Sequence, residues 1–263
     1  MRVDGAVWSQ ESGDGPLVVL VHGAMDRSGG MLRVRRELVD DHTVVRYDRR
    51  GYGRSLDVPV SDDIDDQVED LAVVLGGRPA VVVGHSFGGI LAVALAERRP
   101  DLVRAVMAYE APRPWEPWWT GAGAEVADRH GGAGRALSET EAGDAAEWML
   151  RRMIGDAMWA RMPLGMRAER RAEGHALMAD MRSVRTPSRP PYDAAAVAVP
   201  VVAAHGGQAR RHHVRATELL ARTAPRGELA TIAGAGHGAH LSHPVPFAGL
   251  VRATVALAAE RER

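Results

Sequence analysis

The stretch Ala80-Val81-Val82-Val83-Gly84-His85-Ser86-Phe87-Gly88-Gly89 carries the strongest local signal in the chain. Ala80 to Val83 is short, β-branched and wholly apolar, the pattern of a strand in a parallel sheet covered on both faces. A Gly-rich turn follows, then an apolar helix, Ile90 to Ala96, stopped at Pro100. Ser86 thus stands in a Gly-x-Ser-x-Gly turn between strand and helix, where a strained backbone exposes the hydroxyl. Glycine two residues to either side avoids collision, and the helix N-terminus behind the serine favours developing negative charge. The plainer alternative is a helix N-cap serine in a tight turn. A free hydroxyl is a poor nucleophile, so the chemical reading needs a base as well.

Outward from this turn, strands alternate with helical stretches. Ala6 to Ser9 and Leu17 to Val21 read as strands separated by a turn at Gly13-Asp14-Gly15-Pro16. Ser28 to Val39 reads as helix and Thr43 to Tyr47 as strand. Ser61 reads as an N-cap, with Asp62, Asp63, Asp65 and Asp66 matching the helix dipole and Gly76-Gly77 as the stop. Further strands are expected at Val103 to Tyr109, Val199 to Ala204 and Glu228 to Ile232. The alternation predicts a doubly wound α/β sheet. Between Pro112 and Pro191 the pattern is helical without a convincing strand, and Ser138-Glu139-Thr140-Glu141 is a capping box. This predicts core segments over 1–112 and 192–263 with a helical cap over 113–191.

His237, in Gly234-Ala235-Gly236-His237-Gly238, follows the last expected strand. Loops at the carboxyl ends of parallel strands share one edge of the sheet, so His237 can stand beside Ser86 as its base. His240 and His243 read as packing or capping residues. His22-Gly23-Ala24-Met25 follows the strand Leu17 to Val21, where a second oxyanion donor is expected; Ala24 or Met25 would act with Phe87 through backbone N–H groups.

These motifs resemble, in order, those of the alpha/beta-hydrolase family: His22-Gly23, then Asp48-Arg49-Arg50-Gly51-Tyr52-Gly53-Arg54-Ser55, then Gly84 to Gly89, then Gly236-His237. The resemblance spans nearly the whole chain except the cap. It implies an eight-stranded, mostly parallel sheet flanked by helices and a Ser-acid-His triad. The Asp48 to Ser55 segment reads as a structural turn. The family's usual acid follows the seventh strand, but here His205-Gly206-Gly207-Gln208-Ala209-Arg210 places Ala209 there. Some family members carry the acid after the sixth strand, and at that place stands Glu110. Its alternative role is pairing with Arg113 or lining the cap hinge.

The expected activity is hydrolysis of a small, largely apolar ester or lactone through an acyl-enzyme, with Ser86, His237 and Glu110 catalytic. Carbon-carbon bond hydrolysis or perhydrolysis uses the same serine, and a non-catalytic binder that lost the acid is the rival from another class. A serine, rather than an aspartate, in the Gly84 to Gly88 turn argues against dehalogenase and epoxide hydrolase chemistry. Trp115, Trp148 and Trp159 are candidate pocket walls among the tryptophans and methionines of the cap. The 263-residue chain has no cysteine, which excludes disulfides, zinc-thiolate sites and a thiol nucleophile, and its basic residues are all arginine. No cofactor and no metal are expected. The formal net charge of −1 offers no basic patch for nucleic acid or membrane. The expected partner is a small-molecule substrate, the expected state a monomer or homodimer, and the start Met1-Arg2-Val3-Asp4 suggests a soluble cytoplasmic protein.

Overall fold

The computed structural model describes residues 7–130, 136–185 and 189–260. Seven strands form one sheet among them: β1 (Ser9–Ser12), β2 (Leu17–Val21), β3 (Thr43–Tyr47), β4 (Ala80–His85), β5 (Val103–Tyr109), β6 (Val201–Gly206) and β7 (Gly227–Ile232). Their spatial order is β1-β3-β2-β4-β5-β6-β7. β1 runs antiparallel to β3 and every other pair is parallel. The helices α1 (Leu32–Leu38), α2 (Ile64–Leu75), α3 (Phe87–Arg98), α9 (Arg211–Thr223) and α11 (Pro244–Glu260) flank the sheet, and short α10 (Ala239–Ser242) precedes α11. Between β5 and β6 lie α4 (Ala122–His130), α5 (Glu139–Ile154), α6 (Asp156–Arg161), α7 (Leu164–Ala172) and α8 (Gly174–Arg185).

Side chains alternate across the pleat, so each central strand serves two cores. Val19, Val21, Val82 and Val106 join Leu71, Ile90 and Leu91 on one face; Val18, Leu20, Val83 and Met107 join Val34, Phe247 and Val251 on the other. All residues of β4 are buried, which is why that strand reads as a continuous apolar run. The strand order reverses between β2 and β4, and at such a switch point a crevice opens beyond the strands' carboxyl ends. The loop after β2 and the turn after β4 both lie there.

Several expectations need correction. The sheet has seven strands among the described residues rather than eight. The first strand is Ser9–Ser12, not Ala6 to Ser9, and Ala6, like Met1 to Asp4, lies outside the described residues. An edge strand buries little, so the wholly polar Ser9-Gln10-Glu11-Ser12 forms it without an apolar signature. β6 begins at Val201 because Pro200, without an N–H, cannot enter the ladder as a donor. α2 is capped by Asp63, whose carboxylate accepts the Asp65 N–H at 2.9 Å; Ser61 instead accepts from Asp63 in the preceding turn. Ser28–Met31 is a 3-10 turn ahead of α1, and α3 begins at Phe87, directly after the serine. The capping box is present, with Glu141 accepting from Ser138 N at 2.9 Å and Ser138 Oγ from Glu141 N at 3.3 Å.

One buried cluster joins α8 to the sheet. Arg49 donates to both oxygens of Asp180 at 2.8 and 2.9 Å, while Tyr52 Oη and Gln67 Nε2 donate to the same carboxylate at 2.7 and 2.9 Å. Arg49 also donates to the carbonyls of His22 and Gly23, each at 3.2 Å. Burying two charges is costly unless their bonding capacity is filled, as it is here. The Asp48 to Ser55 turn is tied in the same way: Asp48 accepts from Ser28 N at 2.6 Å and Arg54 N at 3.0 Å.

Candidate active site

Ser86 has φ 52° and ψ −122°, a conformation rarely adopted by a residue with a side chain. The turn closes through Ser86 N–H to Tyr109 O (2.9 Å) and Gly89 N–H to Ser86 O (2.8 Å). A Cβ at Gly84 would lie 2.2 Å from Gly88 O, and one at Gly88 would lie 2.3 Å from Val21 O. Backbone packing therefore requires glycine on both sides. Phe87 opens α3, so its N–H has no intrahelical acceptor.

Glu110, one residue beyond β5, also has positive φ, 47°, and has no solvent exposure. Its Oε1 accepts the Gly206 N–H at 3.0 Å, and its Oε2 lies 2.7 Å from His237 Nδ1. A Cβ at Gly206 would meet Ala235 O at 2.2 Å and Tyr109 Oη at 2.7 Å, so the end of β6 can approach only as glycine. A carboxylate only accepts, which makes Nδ1 the protonated nitrogen of His237 and leaves Nε2 an acceptor. Arg113 pairs with Glu116 at 2.9 Å instead of with Glu110.

Tyr109 and His85 add two further bonds to the His237 loop. Tyr109 Oη donates to Gly236 O at 2.8 Å, and His85 Nε2 donates to His237 O at 2.8 Å. Burial, with the Glu110 charge beside it, pushes the Tyr109 phenol well up, so it remains a donor. Burial, followed by the neighbouring His240 and His237, holds His85 well below the ordinary imidazole range and keeps it neutral. Through His85 the residue next to the serine is thus bonded to the backbone of His237.

The loop after β2 lies directly beside Ser86, since a Cβ at Gly23 would stand 3.0 Å from Ser86 Cβ. His22 donates from Nδ1 to Gly23 O at 2.8 Å and accepts the Arg49 N–H on Nε2 at 3.0 Å. Burial first, then the Arg49 charge, lowers its pKa to about 4, which preserves that neutral form. Met25 takes φ 56°, and its carbonyl is bound by Arg170 of α7. Arg27 pairs with buried Glu173 at 2.6 Å. The carbonyls of His22, Gly23 and Met25 are engaged by these bonds, and among the described residues the N–H groups of Ala24 and Phe87 are not used in shaping either turn.

Other residues gather here without a signal in the spacing. His213, on α9, stacks on His237 with centroids 4.6 Å apart and places Nδ1 3.9 Å from Glu110 Oε2. Trp119 packs on His213 at 5.1 Å and on His212 at 4.7 Å. His240 pairs with Asp26 at 3.1 Å and lies 4.1 Å from the His85 ring. The three tryptophans singled out from sequence make other contacts. Trp115 packs edge-on to Tyr192, Trp148 packs against His130, and buried Trp159 donates to Glu147 at 3.1 Å.

Residues 18–250 match the model of a family described as "Alpha/beta hydrolase family". A 2-(acetamidomethylene)succinate hydrolase of Mesorhizobium japonicum is 34% identical over 104 residues, covering 38% of this chain and 37% of that protein. The matched stretches span only about two fifths of the length of such curated relatives. Among solved structures, an esterase from Thermogutta terrifontis superposes with a TM-score of 0.70 at 24% identity, covering 96% of this chain and 93% of the other. An enol-lactonase from Burkholderia xenovorans LB400 does so with a TM-score of 0.72 at 19% identity, covering 95% and 96%. At these identities the superpositions speak for the fold, whereas the family match covers most of the sequence: the chain belongs to the alpha/beta hydrolase family.

Proposed function

We propose that the protein hydrolyses a small, largely apolar carboxylic ester or lactone through an acyl-enzyme on Ser86. The observation that carries this reading is the 2.7 Å pair of His237 Nδ1 and buried Glu110, at the sheet edge that also holds the serine turn. Ser86 Oγ attacks the carbonyl carbon while His237 Nε2 takes its proton, and Glu110 stabilises the imidazolium through Nδ1–H. Charge on the carbonyl oxygen is received by the N–H groups of Phe87 and of Ala24 or Met25, each worth about 3 kcal/mol at the transition state. The tetrahedral species collapses, the alkoxide leaves with the proton from His237, and water repeats the sequence to release the acid.

Ala209 gives the rival reading, a binder without its acid, its only support; Glu110 at the end of the neighbouring strand supplies the missing group. The hydrolase named among the relatives is consistent with bond cleavage by water. The helices over 113–191 act as the cap, and Trp119, packed on His212 and His213, acts as an aromatic wall. A series of p-nitrophenyl esters of increasing chain length tests the reading: the parent should turn over the short ones, and Ser86→Ala should lose that activity with its circular dichroism unchanged. Activity in Ser86→Ala near the parent's level would overturn it.

A further inference from the structure

We propose that Glu110, His213 and His237 form an inhibitory site for a divalent transition-metal ion, zinc foremost. The three side chains come from the end of β5, the first turn of α9 and the loop after β7, and their ligand atoms all lie within 4.8 Å of one another. Glu110 Oε2 stands 2.7 Å from His237 Nδ1 and 3.9 Å from His213 Nδ1. Bonds of about 2.0 to 2.2 Å to a tetrahedral zinc ion set ligand atoms roughly 3.3 to 3.5 Å apart, so one separation opens and the other closes by about half an ångström. The two imidazoles are stacked, and each has its Nδ1 within 4 Å of the same carboxylate oxygen.

His213 Nδ1 is a buried nitrogen with no hydrogen-bond partner, an atom that coordination would satisfy. Two imidazoles and one carboxylate are a donor set suited to zinc and its neighbours rather than to calcium or magnesium. The His237 side chain is 36% exposed, which provides a route of entry and leaves a fourth position for water.

Inhibition follows from the tautomer, and in that respect the inference rests on His237 being the base. A metal ion on Nδ1 takes the lone pair made available when the proton there moves to Nε2. The imidazole stays neutral and no proton is released, but Nε2 becomes a donor and cannot accept from Ser86. The ion also removes the Glu110 contact that orients the ring.

The test separates binding from inhibition. Titration calorimetry of Ser86→Ala protein with zinc chloride should give one site per chain, and cobalt(II) should give the visible absorption of a tetrahedral centre. Adding His213→Phe, which keeps a stacked ring without a donor, should weaken binding at least about tenfold; His213→Gln serves as the second variant if the first fails to fold. Asp26→Asn, which dismantles the separate Asp26-His85-His240 group, should leave binding unchanged. In the active protein, zinc should inhibit reversibly by chelation, and His213→Phe, compared with its own zinc-free rate, should require at least about tenfold more zinc for the same fractional inhibition. Absence of zinc binding, equal binding by the His213 variants, or its loss in Asp26→Asn would overturn the proposal. Should the parent lack esterase activity, the hydrolytic reading fails while calorimetry still decides the metal site.

Discussion

Glu110 Oε2 lies 2.7 Å from His237 Nδ1, and the carboxyl group that makes this contact has no exposure to solvent. A buried carboxyl is tolerable when its oxygens are bonded, and the second one takes the Gly206 N–H at 3.0 Å. That second bond makes the isosteric variant informative. In Glu110→Gln the Gly206 N–H selects the amide oxygen, which turns the amide NH2 toward His237. Nδ1 must then accept, Nε2 carries the proton, and the base is in the wrong tautomer.

Glu110→Gln should therefore remain folded but lose at least about 100-fold in kcat, given that the comparable aspartate-to-asparagine change in a serine protease costs ~10⁴-fold. Ala209→Asp should partly restore the Glu110→Gln protein and do little to the parent. Retention of most activity in Glu110→Gln, or a gain of orders of magnitude from Ala209→Asp alone, would contradict the role given to Glu110.

Stability should fall as pH is lowered through the range set by His22. Its folded pKa of about 4 lies below the value of about 6.5 for an exposed imidazole, so the unfolded chain binds a proton that the folded chain refuses. Above about pH 6.5 neither state is protonated and the group contributes no pH dependence. Between about 6.5 and 4 the proton favours unfolding, and below that the loss is complete at about 3 kcal/mol for this residue alone. Burial lowers His85 and His213 in the same direction and should steepen the slope. Urea midpoints measured from pH 7.5 to 4.5 check this; a flat series would mean that His22 protonates without cost.

Removing one partner of the Arg49–Asp180 pair leaves a buried charge unpaired. Asp180→Ala should cost about 3 to 5 kcal/mol in unfolding free energy, and the joint change of Arg49→Met with Asp180→Leu should cost much less. Because Arg49 also holds the His22 and Gly23 carbonyls, any Asp180→Ala protein that remains folded should show a lower kcat as well. A loss below about 1 kcal/mol would mean that the pair is worth no more than an exposed one.

Trp119 and Trp159 should respond differently to truncation. Trp119→Ala should alter chain-length preference among esters more than turnover of the smallest, since pocket walls act through substrate binding. Trp159, 3% exposed and bonded to Glu147, should mainly lose stability, by about 3 to 5 kcal/mol. Equal losses on every ester in Trp119→Ala would assign that ring to packing.

The fold was legible where side-chain pattern and backbone demand coincide. The run at β4 is apolar because both its faces are covered, and the glycines around Ser86 are required by the 2.2 and 2.3 Å backbone approaches at Gly84 and Gly88. Glu110 could be placed because the chain resembles family members that carry an acid after this strand, whose end lies at the sheet edge that holds the serine turn. β1 escaped because an edge strand of serine, glutamine and glutamate has no buried face to announce it. Ser61 and Asp63 are both capping types two residues apart, and only the chain's path selects Asp63. His213 and Trp119 escaped for a different reason: each reaches the site from a segment whose rotation no local periodicity records. The same applies to Trp115, Trp148 and Trp159, whose neighbours depend on how α4 to α8 pack.

The most direct test of Ser86 as an activated nucleophile is the intact mass of the folded protein after exposure to a fluorophosphonate. We expect one adduct per chain, located on the peptide containing Ser86, absent from Ser86→Ala and strongly slowed in His237→Ala. A folded parent that gains no mass, or a Ser86→Ala protein that gains as much, would contradict the mechanism.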